Sequence, residues 1–284
     1  MAIPTDPPSI PPVRDPHRFI NDLDPEDVQR LIERLESRGK EPAFIRLFEN
    51  YAYRLHLPKN ARVLEMGSGT GVIARLLATT AGKQIHVTGI DQSPALVEAA
   101  KQFSSDGKLE DQLVFEVGDA HALPFASGHF DAVIAHTVIS HVTDPAAVLK
   151  EAYRVLKPAG TLVVFDGDYA SLTIGYDDVE IGRSVDWALA RTVFNNPVVM
   201  RHMSRLLADA GFELTEILSE LMSEIGQGSY FLSMADTYAP LMAESGLVPK
   251  ADIDAWVNAQ HKAVEEHRFF ASCNYYSFIA RRPA

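Results

Sequence analysis

Two periodicities divide the chain. From Val28 to Leu35, apolar residues (Val28, Leu31, Ile32, Leu35) recur at three- and four-residue spacing, which predicts a helix. Asp24-Pro25 supplies its cap and first-turn proline, and Gly39 its stop. A second amphipathic stretch over 41–57 carries Phe44, Leu47, Phe48, Tyr51 and Leu55 on one face and is stopped by Pro58. After residue 60 the pattern changes. Short apolar runs at 62–66, 85–90, 113–117, 130–135 and 161–166 alternate with helical stretches at 70–80, 94–103 and 145–157. Such alternation predicts a parallel sheet with helices on both faces, a doubly wound Rossmann-like α/β fold. Beyond 166 the spacing loosens: a helical region over 177–210, a strand at 212–218 behind Gly211, a helical insertion over 226–267 and a closing strand at 274–281.

This pattern predicts three parts: a Pro-rich arm over 1–20, a helical lid over 21–58, and one domain over 59–284 whose insertion at 226–267 forms further lid. Lid aromatics, among them Phe48, Tyr51, Trp187, Phe194, Tyr230, Phe231 and Trp256, are candidates to wall an apolar pocket, with ordinary packing the plainer role for each.

Composition narrows the function. The formal net charge of −12, with no basic run, argues against nucleic acid as the main partner. The single cysteine, Cys273, excludes an intrachain disulfide and a cysteine-built zinc site, and suits a reducing cytoplasm. No metal site is expected. The first residues show no apolar core of a signal peptide, and no run is long enough to span a membrane.

The chemistry concentrates at the strand ends. Between the first strand and the first helix, VLEMGSGTGV holds Gly67, Gly69 and Gly71, where the chain turns sharply and a ligand can approach the backbone. Dinucleotide sites favour G-x-G-x-x-G; this turn reads G-x-G-x-G, preceded by Glu65. A carboxylate there repels a pyrophosphate and suits a ligand with an ammonium group. Asp91, after the second strand, can accept from ribose hydroxyls. Asp119, after the third, can accept from an adenine amino group. Any one of these acids could be a helix cap. Three at successive strand ends point to an adenosine ligand, and an NAD(P)-dependent oxidoreductase remains as the alternative.

The series LEMGSGTG, GIDQSPALVEAA, GDAHALPFASGHFDAVIA and HVTDPAAVLKEAYRVLKPAGTLVV resembles the class I S-adenosylmethionine (SAM)-dependent methyltransferases. It is most similar to the ubiquinone/menaquinone-biosynthesis and sterol-type group, and later segments resemble a bacterial small-molecule subgroup. The resemblance implies a seven-stranded sheet in the order 3-2-1-4-5-7-6 with strand 7 antiparallel. It implies that Glu65, Gly67, Ser68, Gly69 and Gly71 hold the methionine end of SAM, with Ser68 standing where many relatives have cysteine. Asp91 would bind the ribose, with Gln92 beside the adenosine; Asp119 and Ala120 would contact the adenine, and His136 would border the methionine portion. The product would be S-adenosylhomocysteine. The acceptor is expected to be a small molecule, methylated on oxygen, nitrogen or carbon. Its side of the site would lie after strands 4 and 5, with Thr137, Ser140, Asp168 and Tyr169, and Tyr51 from the lid, as candidates. His141 is the first candidate for a general base, since neutral imidazole accepts a proton near pH 7; its plainer role is packing or backbone hydrogen bonding. A SAM-binding protein that does not methylate, and a homo-oligomer, stay open at this point.

Overall fold

The computed structural model describes residues 15–81 and 85–284. The Pro-rich arm expected over 1–20 falls outside the described residues as far as residue 14. Residues 15–23 run across the site and include a single 3-10 turn, Ile20–Asp22. Helix α1 (Pro25–Arg38) starts as its sequence requires: Asp24 Oδ1 accepts from the Asp27 amide at 2.9 Å, with Pro25 in the first turn. Helix α2 (Pro42–Ala52) ends earlier than the periodicity suggests, and Tyr53 is exposed.

The sheet then assembles. Strands β1 (Ala61–Met66), β2 (Ile85–Asp91), β3 (Leu113–Val117), β4 (Phe130–His136) and β5 (Leu156–Ile174) pair in parallel. β7 (Phe269–Arg281) inserts antiparallel between β5 and β6 (Glu213–Gly226). The seven-stranded order is β3-β2-β1-β4-β5-β7-β6, as the resemblance implies. Alternate residues of each central strand enter two cores. Val63, Ile134 and Phe165 pack beneath α2, α3 (Val72–Ala81), α6 (Val179–Val193), α8 (Tyr230–Ser245) and α9 (Lys250–Glu265). Leu64, Val133 and Val164 pack against α5 (Pro145–Val155) and α7 (Met203–Asp209). Helix α4 (Pro94–Asp106), capped by Ser93, joins α1 through Leu96, Leu31 and Ile20.

Four expected elements have other bounds. β5 runs from 156 to 174, because its small polar stretch after Phe165 continues to pair with β7 through an irregularity between Asp168 and Thr173. β6 and β7 likewise extend beyond the expected 212–218 and 274–281, since each pairs along its full length. The helical region over 177–210 breaks into α6, a 3-10 turn at Val199–His202, and α7. The break falls at Asn195-Asn196-Pro197, where both asparagine amides donate to the Val142 carbonyl and proline cannot continue a helix.

Helices α1 and α2 reach the carboxyl ends of the strands, and α8, from the insertion expected as further lid over 226–267, packs behind them without bordering the space there. The Arg34 guanidinium lies 4.6 Å from the Tyr238 ring centroid, and Phe44 meets Tyr230 edge-on at 4.8 Å, so α1, α2 and α8 touch one another. No helix among the described residues is long and apolar enough to cross a membrane.

Candidate active site

The turn after β1 follows from its glycines. Gly67 has φ +65°, and a Cβ there would lie 2.4 Å from Val138 Cγ2; Gly71 has φ +75°, and a Cβ would lie 2.6 Å from the Phe115 ring. Any side chain would be strained and would clash. Gly71 thus seats the turn on β3, while Gly67, Ser68, Gly69 and Thr70 face a cavity of about 350 Å³. Ser68 Oγ and Thr70 Oγ1 are buried there without a hydrogen-bond partner among the described residues.

Three carboxylates meet this cavity. Glu65 is 2% exposed, and its Oε2 accepts from the Ala74 amide of α3 at 3.1 Å. Burial pushes its carboxyl up to about 8, against the pull of the Ala74 amide and Arg75. Asp91 accepts from the Gly69 amide at 2.8 Å and the Ser93 amide at 3.0 Å. Burial raises it above the usual carboxylate range, and those amides oppose the rise. Asp119 is exposed beside Ala120, and its Oδ1 accepts from the His121 amide at 2.8 Å and lies 2.6 Å from His121 Nδ1. Partial burial acts to raise its carboxyl, but the His121 bonds outweigh it and leave it below its usual value.

Gln92 faces the cavity but uses its amide differently from the expected adenosine contact. Its Nε2 donates to the carbonyls of His17 at 2.9 Å and Arg18 at 3.1 Å. His17, Arg18 and Phe19 thereby become cavity wall.

At the end of β4, His136 stacks on Phe165 at 4.4 Å, and its Nδ1 lies 2.9 Å from Tyr51 Oη. Burial, with Arg38 nearby, holds its ring well below the usual imidazole range, so it is neutral. Thr137 has φ +51°, a genuine outlier for a β-branched residue. Its amide donates to the Phe165 carbonyl at 2.6 Å, and its Oγ1 accepts from Arg38 Nη2 at 3.1 Å. Arg38 also lines the cavity and has no carboxylate partner among the described residues.

His141 lines the cavity too, with Nδ1 2.7 Å from Asp15 Oδ2. Burial disfavours its charged form, but Asp15 and the more distant Asp166 outweigh this and raise it above the ordinary imidazole value. The bond is to a carboxylate, not to backbone.

Four acceptor-side candidates stand behind the wall rather than on it. Tyr51 is fully buried under His136. Ser140 gives its amide and hydroxyl to Asp166, at 2.9 and 3.1 Å. Asp168 is held by Arg201 Nε, 3.0 Å from each oxygen. Tyr169 stacks on Phe194 at 3.4 Å. Each is occupied by a structural partner that its position in the sequence did not reveal. Conversely, Arg38, Asp15 and His17 were missed. Arg38 closes the polar face of an amphipathic helix, and Asp15 lies in proline-rich sequence; neither carries a local motif.

A sequence profile of the methyltransferase-domain family matches residues 57–225, more than half of the chain. The chain belongs to this family. The methyltransferase domain is 37% identical to the 27-O-demethylrifamycin SV methyltransferase of Amycolatopsis mediterranei over 131 residues, 46% of this chain and 47% of that protein. It is 35% identical to the ubiquinone/menaquinone biosynthesis C-methyltransferase UbiE of Geotalea daltonii over 107 residues, 38% of this chain and 46% of the relative. The chain thus spans about half the length of these curated relatives. In fold, the methyltransferase domain resembles the 4+2 cyclase SpnF, with a TM-score of 0.57 at 24% identity, over 87% of this chain and 85% of that one.

Proposed function

We propose that the protein methylates a small molecule with SAM as the donor. The observation that carries this reading is the convergence of Glu65, Asp91 and Asp119, from the ends of three adjacent strands, on one cavity beside the glycine turn. The residues fit the donor. Glu65 would hold its ammonium, Asp91 its ribose hydroxyls, and Asp119 with Ala120 its adenine. The orphaned Ser68 and Thr70 hydroxyls offer further polar contacts, and the guanidinium of Arg38, bonded to Thr137 and Tyr230 but to no carboxylate among the described residues, suits the donor's carboxylate. When bound, SAM supplies an electrophilic methyl on a sulfonium centre.

The chain's own contribution is alignment and proton handling. Neutral His136, fixed by Tyr51, and strained Thr137 form a rigid rim to the cavity. His141 would take the proton from an acceptor that must lose one. A small acceptor agrees with a cavity walled by α1, α2 and residues 17–19, and with relatives named as a 27-O-demethylrifamycin SV methyltransferase and a ubiquinone/menaquinone biosynthesis C-methyltransferase. Against the oxidoreductase alternative stands Glu65, which occupies the place a pyrophosphate needs.

Calorimetric titration with SAM, S-adenosylhomocysteine and NAD tests the reading. Micromolar binding of the first two and none of NAD is expected. Binding of NAD alone would overturn it. Binding of SAM with no methyl uptake across a broad acceptor screen would favour a SAM-binding protein of another activity.

A further inference from the structure

The segment 15–23 does more than cover the cavity. Asp15 is fully buried, and its two oxygens are used separately. Oδ1 accepts from the amides of His17 at 2.9 Å and Arg18 at 3.3 Å, which folds the segment into a turn. Oδ2 reaches His141 Nδ1 across 126 positions of sequence. His17 packs its ring 4.5 Å from that of His141, and Phe194 closes the other side at 5.3 Å. His141 Nε2 makes no hydrogen bond among the described residues, while the ring borders the cavity. A carboxylate on Nδ1 fixes the proton there and leaves Nε2 as the acceptor. The same segment is tied at its next residues to Gln92, immediately after Asp91. Asn21 Nδ2 returns a bond to the Gln92 carbonyl at 3.2 Å, and Ile20 anchors against Leu31 and Leu96.

We propose that Asp15 is the positioning residue for His141, and that Gln92 couples this pair to the donor site, so that the base is assembled only when segment 15–23 is seated across the cavity. This deepens the reading of His141 as the proton acceptor and rests on it. Four groups act on the ring: Asp15 and His17 from the segment, Asp166 from β5 and Arg38 from α1. The two carboxylates raise its proton affinity, Arg38 lowers it, and His17, itself held well below the imidazole range by burial, stays neutral.

The test needs no acceptor. The full-length protein, labelled with nitrogen-15 histidine, is titrated by NMR, and His141 among the ten histidines is assigned by loss of its signal in His141→Gln. In the wild type, His141 should titrate above 6.5 and be protonated at Nδ1 in its neutral form. Asp15→Asn should lower the midpoint by roughly one pH unit or more, the scale for loss of an adjacent opposite charge, and mix the tautomers. Gln92→Ala, which alters neither partner, should produce a smaller shift in the same direction, and Asp15→Glu should restore part of the wild-type midpoint. An unchanged titration in Asp15→Asn would overturn the pairing, and an unchanged one in Gln92→Ala would overturn the coupling. S-adenosylhomocysteine titrations on the same samples separate the two readings. If the wild type fails to bind it while the His141 shifts appear, the methyltransferase reading fails and the pairing stands. Binding without the shifts is the opposite result.

Discussion

The Gly69 amide donates to Asp91 Oδ2 at 2.8 Å, so the carboxylate ending β2 holds shut the turn that follows β1. The residue assigned to the ribose is therefore also a brace for the glycine turn. Asp91→Ala should weaken S-adenosylhomocysteine binding by about 2 kcal/mol, the scale for hydrogen bonds to a charged acceptor, and should also lower the melting temperature of the free protein. Asp91→Asn, which still offers an oxygen to Gly69, should lose less of both. Calorimetry and thermal melts on the two variants check this; full affinity in a folded Asp91→Ala removes the ribose assignment.

Glu65 makes a proton-linked prediction. Its carboxyl, raised by burial to about 8, is mostly protonated at pH 7. An ammonium brought against it favours the ionised form, so binding should release close to one proton at pH 7 and almost none at pH 9. Titrations in buffers of different ionisation enthalpy measure the release directly. The sign for the free protein follows: a folded value above the unfolded one stabilises fully below the unfolded value of about 4.5, and this contribution is lost as pH rises toward about 8. Glu65→Gln should flatten that loss and abolish the proton release.

Arg38 is expected to read the donor's carboxylate. Arg38→Gln should weaken S-adenosylhomocysteine at least tenfold, as expected for a charge-assisted contact, and leave 5′-methylthioadenosine, which has no carboxylate, nearly unaffected. Equal losses for both ligands would mean that Arg38 merely supports the cavity wall.

Thr137 stores strain that a better-suited residue would relieve. Thr137→Asn, which tolerates φ near +51°, should stabilise the fold by about 1 kcal/mol. It should also disturb the Arg38 contact and weaken ligand binding. Denaturant unfolding with parallel ligand titration checks both signs.

The strand-end half of the cavity was legible in sequence because it is local. Glu65, Gly67, Gly69, Asp91 and Asp119 sit where strands end, and strand ends follow from short apolar runs. The contacts that complete the cavity wall were not, because they join residues far apart in sequence: Asp15 with His141, Arg38 with Thr137, Gln92 with the His17 carbonyl. Ser140, Asp168 and Tyr169 were plausible by position, yet their partners Asp166, Arg201 and Phe194 come from other elements. The sheet order followed the family resemblance. The lengths of β5, β6 and β7 were concealed because polar or small residues (Asp166 to Asp168 in β5, Ser219 and Glu220 in β6, Ser272 and Asn274 in β7) interrupt the apolar runs, although the pairing continues through them.

Helices α1–α2 and α8–α9 come from two distant stretches and meet through Arg34 with Tyr238 and Phe44 with Tyr230, but the cavity wall takes Leu35, Arg38 and Phe44 from α1 and α2, with α8 standing behind them. The strand-end acids and glycine turn lie between the two stretches in sequence. The wall therefore leans on a buttress encoded far downstream of it. Because Phe44 faces the cavity and also packs on Tyr230, a graft of α1–α2 alone leaves mismatched aromatic and cationic faces behind the wall.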